Sequence, residues 1–102
     1  MKKRAEIKVR GIVQGVGFRP FCYRTAVGLG LNGSVRNTGD AGVDLVLEGE
    51  EADILEFLEK LRRDNPPLAK VDDIAVNWVE ETEGLDQFRI IESDRESTGK
   101  SS

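Results

Sequence analysis

The chain has 102 residues, enough for one compact domain and too few for two, with a hydrophobic share of 38% and a charged share of 33%. No apolar run approaches the roughly 20 residues that a membrane helix needs, and the basic start is not followed by the apolar stretch of a secretory signal. A single cysteine and the absence of histidine exclude an internal disulfide and imidazole catalysis. We expect a cytoplasmic monomer with no membrane partner.

The net charge of -4 is unevenly distributed along the chain. Residues 1–36 carry eight Lys or Arg against Glu6 alone, whereas the remainder carries seven against eighteen Asp or Glu. This asymmetry would steer a small anion toward the N-terminal part, while the acidic remainder disfavours nucleic acid. For Lys2, Lys3 and Arg4 a solvated terminus is an equally good interpretation.

The predicted elements begin with a strand over residues 5–13, where β-branched residues alternate with charged ones. Pro20 then falls near the first turn of a helix, where its missing N–H costs nothing. Gly28 or Gly30 would end that helix. Its candidate buried stripe recurs at helical spacing and consists of Phe18, Cys22, Ala26 and Leu29.

A second strand is predicted over residues 31–37, and turn formers at 38–42 make a hairpin into a third strand carrying Val43, Leu45 and Leu47. Residues 50–63 form the clearest helix, with acids in its first turn and bases in its last, and Pro66-Pro67 follows its end. Its apolar face consists of Ile54, Phe57, Leu58 and Leu61.

Strands over residues 71–79 and 88–91 complete the order β-α-β-β-α-β plus one extra edge strand. We therefore predict an α+β, ferredoxin-like sandwich with two helices on one face of the sheet. The predicted domain spans residues 1–92, and the polar, aperiodic residues 93–102 are predicted to be a flexible tail or linker. Fold alone assigns no function.

The most distinctive segment is VQGVGFRP at positions 13–20, between the first strand and the first helix. Glycines allow several backbone N–H groups to point inward, a helix N-terminus offers a positive dipole end, and Arg19 supplies a guanidinium fork. The segment fits neither the Walker pattern nor the dinucleotide pattern, because Phe18 and Arg19 follow Gly17 and Pro20 occupies the third glycine position. It indicates an anion-binding loop, although the two glycines could simply make a tight turn.

The runs GIVQGVGFR at 11–19, GSVRN at 33–37 and LAKV at 68–71 resemble the acylphosphatase family over residues 5–92. The resemblance implies an enzyme that hydrolyses an acyl phosphate to carboxylate and phosphate without metal or cofactor. It further implies that Arg19 and Asn37 are catalytic, with Asn37 positioning the attacking water. The phosphate-binding residues implied by the same match are Gln14, Gly15, Val16, Gly17, Phe18 and Arg19.

Further residues resemble one branch of that family, the N-terminal acylphosphatase-like domain of hydrogenase-maturation carbamoyltransferases. These are Pro20 directly after Arg19, FCYR at 21–24 and NPPLAKVD at 65–72. TGDAG at 38–42 departs from the Asp-Gly-Ser that free-standing acylphosphatases tend to carry there. The branch implies carbamoyl phosphate as substrate and the further domains of a larger carbamoyltransferase as partners. The alternatives are a free-standing acylphosphatase of broad specificity and a non-catalytic anion-binding module.

Three other site hypotheses carry less weight. Cys22 could be a nucleophile, but it has no histidine to activate it and lies on the predicted buried stripe. The pairs Asp72-Asp73 and Glu80-Glu81 could bind a metal, but adjacent strand residues point to opposite faces, which favours a solvated edge. An RNA-binding sheet would need a basic surface and an aromatic motif on a central strand, which this sequence lacks.

Overall fold

The computed structural model describes residues 2–91, so Met1 and the predicted tail at 93–102 lie outside the described residues. Within this range, the elements are β1 (Lys2–Ile12), α1 (Phe18–Gly28), β2 (Asn32–Asn37), β3 (Val43–Glu50), α2 (Glu51–Arg63), β4 (Lys70–Val79) and β5 (Phe88–Ile91). The predicted element order is confirmed.

The strands form one five-stranded sheet in the order β4-β1-β3-β2-β5. All neighbouring pairs are antiparallel except β2 and β5, which are parallel. The short strand β5 is therefore the extra edge strand, and the ferredoxin-like fold class is confirmed.

The core lies between the sheet and the two helices. Ala5, Ile7 and Val9 of β1 stand opposite Leu47, Leu45 and Val43 of β3, and all six are buried. Helix α1 buries Phe18, Phe21, Cys22 and Ala26 against this face, and α2 buries Ile54, Phe57, Leu58 and Leu61. The predicted stripe of α2 is confirmed, and so are Phe18, Cys22 and Ala26 of the α1 stripe. The fourth predicted residue, Leu29, is only partly buried because it lies just beyond the end of α1. Neither helix within residues 2–91 has the length and apolar character to cross a membrane.

The first strand begins earlier than predicted. Lys2, Lys3 and Arg4 pair with residues 50, 49 and 48 of β3 and belong to β1 rather than to a solvated terminus. The run of positive charges looked like a solvated terminus in the sequence. In the fold, carboxylates neutralise two of these charges: Lys3 lies 3.4 Å from Glu51, and Arg4 lies 2.7 Å from Glu48.

Glu48 is a buried charged side chain, with 4% of its surface exposed. Its carboxylate accepts hydrogen bonds from Arg4 Nη1 at 2.7 Å, from the backbone N–H of Glu83 at 2.7 Å and from that of Leu85 at 3.1 Å. The latter two residues lie in the connection between β4 and β5. Glu48 therefore ties that connection to the centre of the sheet and helps place β5.

Candidate active site

The loop after β1 takes its shape from two glycines. Gly15 and Gly17 have φ values of 75° and 82°, the left-handed region in which a side chain is strained. Both are exposed, whereas Phe18 is buried and Val16 packs against the core. Val16 and Phe18 therefore anchor the loop with their side chains and can offer an anion only their backbone N–H groups.

The N-terminus of α1 is open to an anion. Gly17 caps it without a side-chain hydrogen bond, and the first turn contains no acidic residue. The first intrahelical hydrogen bond of this turn runs from the N–H of Phe21 to the carbonyl of Gly17 at 3.2 Å. The N–H groups of Phe18 and Arg19 precede it, and the helix offers them no acceptor. Among residues 2–91, no acidic side chain in the first turn or side-chain cap consequently compensates the positive end of the helix dipole.

Arg19 lies in that first turn and is half-buried. Its Nη1 donates to the backbone carbonyl of Ile91, the last residue of β5, at 3.3 Å. No carboxylate within residues 2–91 forms an ion pair with it. One guanidinium nitrogen therefore fixes the side chain, and the remaining N–H donors are available to an anion.

Asn37 is the last residue of β2. It stands opposite Val43, which in turn stands opposite Val9, so its side chain lies on the helix face of the sheet, the same face as the glycine loop. Its Oδ1 is buried and has no hydrogen-bond partner among the described residues. A buried carbonyl without a partner costs about 1–3 kcal/mol, so this atom is the kind of acceptor that a bound water would satisfy.

The sheet brings Arg19 and Asn37 to the same end of the fold. Ile91, which accepts the hydrogen bond from Arg19, pairs with Arg36 across the parallel β2–β5 ladder. Asn37 is the next residue after Arg36. Arg19 and the strand-end Asn37 therefore lie at the same end of the sheet and flank one region.

Gln14 is placed differently from the other loop residues. Its Nε2 donates to the carbonyls of Thr38 at 2.9 Å and Gly42 at 2.8 Å. Its carboxamide thus faces the β2–β3 hairpin, and only its backbone N–H remains for a phosphoryl oxygen. No local sequence pattern predicts this contact, because the partners are 24 and 28 residues away.

The hairpin at residues 38–42 is fixed from the other side by Asp40. Its carboxylate accepts hydrogen bonds from the Thr38 hydroxyl and, at 3.3 Å, from the N–H of Gly42, and it lies 2.8 Å from Arg10 Nη1. The hydrogen bond from Thr38 is the main cause that lowers the pKa of Asp40 to about 2. Ala41 beside it has a φ of 71°, so the hairpin is a constrained segment directly after Asn37.

Most cations of the basic N-terminal part have carboxylate neighbours. Lys8 and Arg36 lie 2.8 and 3.5 Å from Asp44, and Lys3, Arg4 and Arg10 have the partners given above. The electrostatic attraction of this part of the chain for an anion is accordingly weaker than its count of Lys and Arg residues suggested. At the glycine loop itself, the positive charge comes from Arg19 and the helix terminus.

The other candidate residues lie away from this region. Cys22 is fully buried, and burial raises the pKa of its thiol, which confirms the packing interpretation. Asp72 and Asp73 are exposed on the edge strand β4. Within residues 2–91, no three potential ligand side chains cluster around a possible metal position.

A sequence profile of the Acylphosphatase family matches residues 5–90. The chain is 54% identical over 92 residues to carbamoyltransferase HypF2 of Cupriavidus necator, covering 90% of this chain and 11% of that protein. It is 48% identical over 87 residues to the acylphosphatase of Moorella thermoacetica, covering 85% of this chain and 91% of that protein.

Solved structures give the same two kinds of relative. The acylphosphatase from Bacillus subtilis superposes with a TM-score of 0.85 at 37% identity, covering 89% of this chain and 99% of the other. Full-length HypF in its phosphate- and nucleotide-bound form superposes with a TM-score of 0.81 at 35% identity, covering 92% of this chain and 12% of the other. The chain therefore spans about a tenth of the carbamoyltransferases that it matches and nearly the whole of the free acylphosphatases.

Proposed function

The chain belongs to the acylphosphatase family and is an enzyme of that family, and we propose that its substrate is carbamoyl phosphate, which it hydrolyses to carbamate and phosphate. Membership of this family implies hydrolysis of an acyl phosphate but does not identify the acyl group. The choice of acyl group is supported by the 54% identity to a carbamoyltransferase and by the FCYR and NPPLAKVD runs at positions 21–24 and 65–72.

In the proposed reaction, the oxygen of a water molecule attacks phosphorus in line with the bond to the acyl oxygen. That phosphorus–oxygen bond breaks and its electron pair leaves with the carboxylate or carbamate, while the proton of the water passes to the phosphate product. Because the acid of a typical acyl leaving group has a pKa of about 4, the carboxylate departs without a general acid. Positioning and charge stabilisation suffice for such a step.

The proposed roles divide between the loop and the strand end. Arg19 and the backbone N–H groups of residues 14–19 bind the phosphoryl oxygens and stabilise the charge that they carry in the transition state. Asn37 accepts a hydrogen bond from the attacking water and holds it opposite the leaving group. The proposal needs neither a titrating protein base nor a metal.

The observation that carries this proposal is the buried, unpartnered Oδ1 of Asn37 on the same face and at the same end of the sheet as Arg19. A buried amide oxygen normally has a hydrogen-bond partner, either in the protein or in an ordered water. An acceptor left open beside an anion site is what an attacking water needs.

We further propose that the chain acts as one domain of a larger carbamoyltransferase, whose other domains would use the carbamate. Support comes from relatives in which the matching part is 11% or 12% of the protein. A free acylphosphatase of broad specificity is the second candidate, supported by relatives that this chain spans almost completely. The proposed compartment is the cytoplasm, where the free thiol of Cys22 would stay reduced.

The test is phosphate release from carbamoyl phosphate and acetyl phosphate, measured on the wild type, Arg19→Ala and Arg24→Ala. Arg24 is an exposed arginine on the same helix and provides a control of equal charge change. We expect Arg19→Ala to lose about 10³-fold or more in kcat/KM on both substrates, in the range found for arginines that stabilise phosphoryl transfer. Arg24→Ala should stay within about twofold of the wild type.

The ratio of the kcat/KM values for the two substrates identifies the preferred acyl group. A kcat/KM at least tenfold higher for carbamoyl phosphate supports the carbamoyltransferase assignment. Equal values for both substrates would favour the enzyme of broad specificity. Equal activity of the wild type and Arg19→Ala would refute the proposed phosphate site for either substrate.

A further inference from the structure

We propose that Gln14 is a positioning residue that joins the two halves of the site and is not a side-chain ligand of phosphate. Its carboxamide would hold the glycine loop against the hairpin that follows Asn37, so that the bound phosphoryl group and the attacking water keep their relative positions. The inference rests on the proposed function in one respect, the role of Asn37 as holder of the water.

The donor count of the carboxamide supports this role. The Nε2 of glutamine has two hydrogens, and two carbonyl oxygens, those of Thr38 and Gly42, lie 2.9 and 2.8 Å from it. Both neighbours are acceptors, so the amide orientation is fixed: a flipped group would place its own oxygen against two others. The remaining Oε1 is an acceptor and would repel a phosphoryl oxygen.

The two acceptors lie on both sides of the hairpin loop. Thr38 directly follows Asn37, and Gly42 directly precedes β3. The carbonyl of Gly42 also accepts a hydrogen bond from the N–H of Thr38 at 2.9 Å, which closes the loop. Gln14 is therefore a second donor to the same carbonyl. A single side chain of the phosphate loop thereby contacts the residue next to the proposed water holder.

The hairpin needs such support because its own conformation is constrained. Ala41 has a left-handed φ of 71°, and outside the hairpin only Arg10 and Gln14 contribute side chains to it among the described contacts. Arg10 and Asp40 are about half exposed, and an exposed ion pair contributes little. The half-buried hydrogen bonds of Gln14 are the stronger restraint.

The test uses Gln14→Met, which keeps the length of the side chain and removes both donors, and Gln87→Met as the control at an exposed glutamine. With acetyl phosphate, we expect kcat of Gln14→Met to fall about 10- to 100-fold, the effect of a displacement of about 1 Å between reacting groups. The inhibition constant of inorganic phosphate should stay within about threefold, since Arg19 and the backbone donors remain. Gln87→Met should change neither constant.

A double-mutant cycle with Asn37→Ala separates positioning from general loosening. Once the Asn37 amide is absent, adding Gln14→Met should lower kcat by less than about threefold further, because the two side chains serve one function. The same 10- to 100-fold loss in the Asn37→Ala background would overturn the proposal. So would an inhibition constant for phosphate that rises tenfold while kcat is unchanged.

Amide hydrogen exchange provides a measurement that does not depend on turnover. The N–H of Thr38 should exchange about tenfold faster in Gln14→Met than in Gln87→Met, because the loop-closing carbonyl loses its second restraint. An unchanged exchange rate of the Thr38 N–H would refute the proposal that Gln14 holds the hairpin, even if no acyl phosphate were hydrolysed. Hydrolysis of acetyl phosphate without hydrolysis of carbamoyl phosphate would overturn the proposed substrate and leave this test intact.

Discussion

The guanidinium group of Arg19 is fixed by one hydrogen bond and leaves its other donors open to a ligand. Its Nη1 donates to the carbonyl of Ile91 at 3.3 Å, and the rest of its fork is free of carboxylates within the described chain. This arrangement sets the direction of the guanidinium before a ligand arrives, which lowers the entropy lost on binding. The geometry of the fork, in addition to its charge, should therefore contribute to phosphate binding.

Arg19→Lys tests that contribution, because it keeps the charge and removes the planar fork. We expect the inhibition constant of inorganic phosphate to rise about tenfold or more, equivalent to the loss of one hydrogen bond to a charged group. Competitive inhibition measured at several phosphate concentrations gives the constant. A value equal to that of the wild type would mean that charge alone binds the phosphate.

Ala41 is the one non-glycine residue with positive φ in the described chain, and a side chain in that conformation costs roughly 1–2 kcal/mol. Ala41→Gly should raise the free energy of unfolding by roughly 0.5–1 kcal/mol, since the entropy cost of glycine offsets part of the relieved strain. Urea unfolding measures the change. Ala75→Gly in the extended strand β4 is the control and should lower the same quantity by about 0.5–1 kcal/mol. Two variants shifting in the same direction would contradict the strain at Ala41.

At the scale of elements, β2 carries Asn37 to the site and depends on a glycine in its own interior. Gly33 has a φ of 146°, and a Cβ at this position would lie 1.8 Å from the carbonyl oxygen of Val46 on β3. The two strands can pair at this point only if residue 33 has no side chain. The glycine thus supports the register that places Asn37 opposite Val43.

Gly33→Ala should consequently destabilise the fold by more than about 4 kcal/mol, because backbone atoms must move apart to admit the methyl group. Gly28→Ala is the matched control: it ends α1, has open space around it and should be neutral or stabilising by up to about 1 kcal/mol. Thermal unfolding followed by circular dichroism compares the two. A soluble Gly33→Ala variant with the melting temperature of the wild type would show that the strands do not pair this closely.

The elements could be predicted because their signals are local. The apolar stripes of α1 and α2, the alternation in β3 and the turn formers at 38–42 each lie within one short window. The start of β1 was missed because its charges are neutralised by residues some 45 positions away. The contacts of Gln14 and the carbonyl that holds Arg19 were missed for the same reason, since they exist only after the strands pair.

At the scale of the whole molecule, a chain of contacts links a buried carboxylate to the site. Glu48 binds the connection after β4, that connection leads into β5, and the last residue of β5 holds Arg19. Burial by itself would raise the pKa of Glu48. The hydrogen bonds from the N–H groups of Glu83 and Leu85 and from Arg4 outweigh burial, so its pKa lies below the usual value.

A lowered pKa in the folded state means that Glu48 stabilises the fold above its unfolded pKa of about 4.3, and that this contribution is lost as the pH falls through the folded value. At pH 7 we expect Glu48→Gln to lower the free energy of unfolding by about 2 kcal/mol, the scale of hydrogen bonds to a charged group. The difference from the wild type should shrink at pH 3. Urea unfolding at both pH values measures it.

Glu56→Gln, at an exposed position of α2, is the control for the loss of one carboxylate. It should change the free energy of unfolding by less than about 0.5 kcal/mol at either pH. A deficit of Glu48→Gln that is equally large at pH 7 and pH 3 would show that the charge of Glu48 does not stabilise the connection between β4 and β5.

The division of roles between Arg19 and Asn37 is tested most directly by two constants of one variant, the kcat of Asn37→Ala for acetyl phosphate and its inhibition constant for inorganic phosphate. Asn77→Ala, an exposed asparagine on β4, is the control. We predict a fall in kcat of about 100-fold or more with phosphate binding within about threefold of the wild type, since only the holder of the water is lost. A kcat near that of the wild type would contradict the assignment of the attacking water to Asn37.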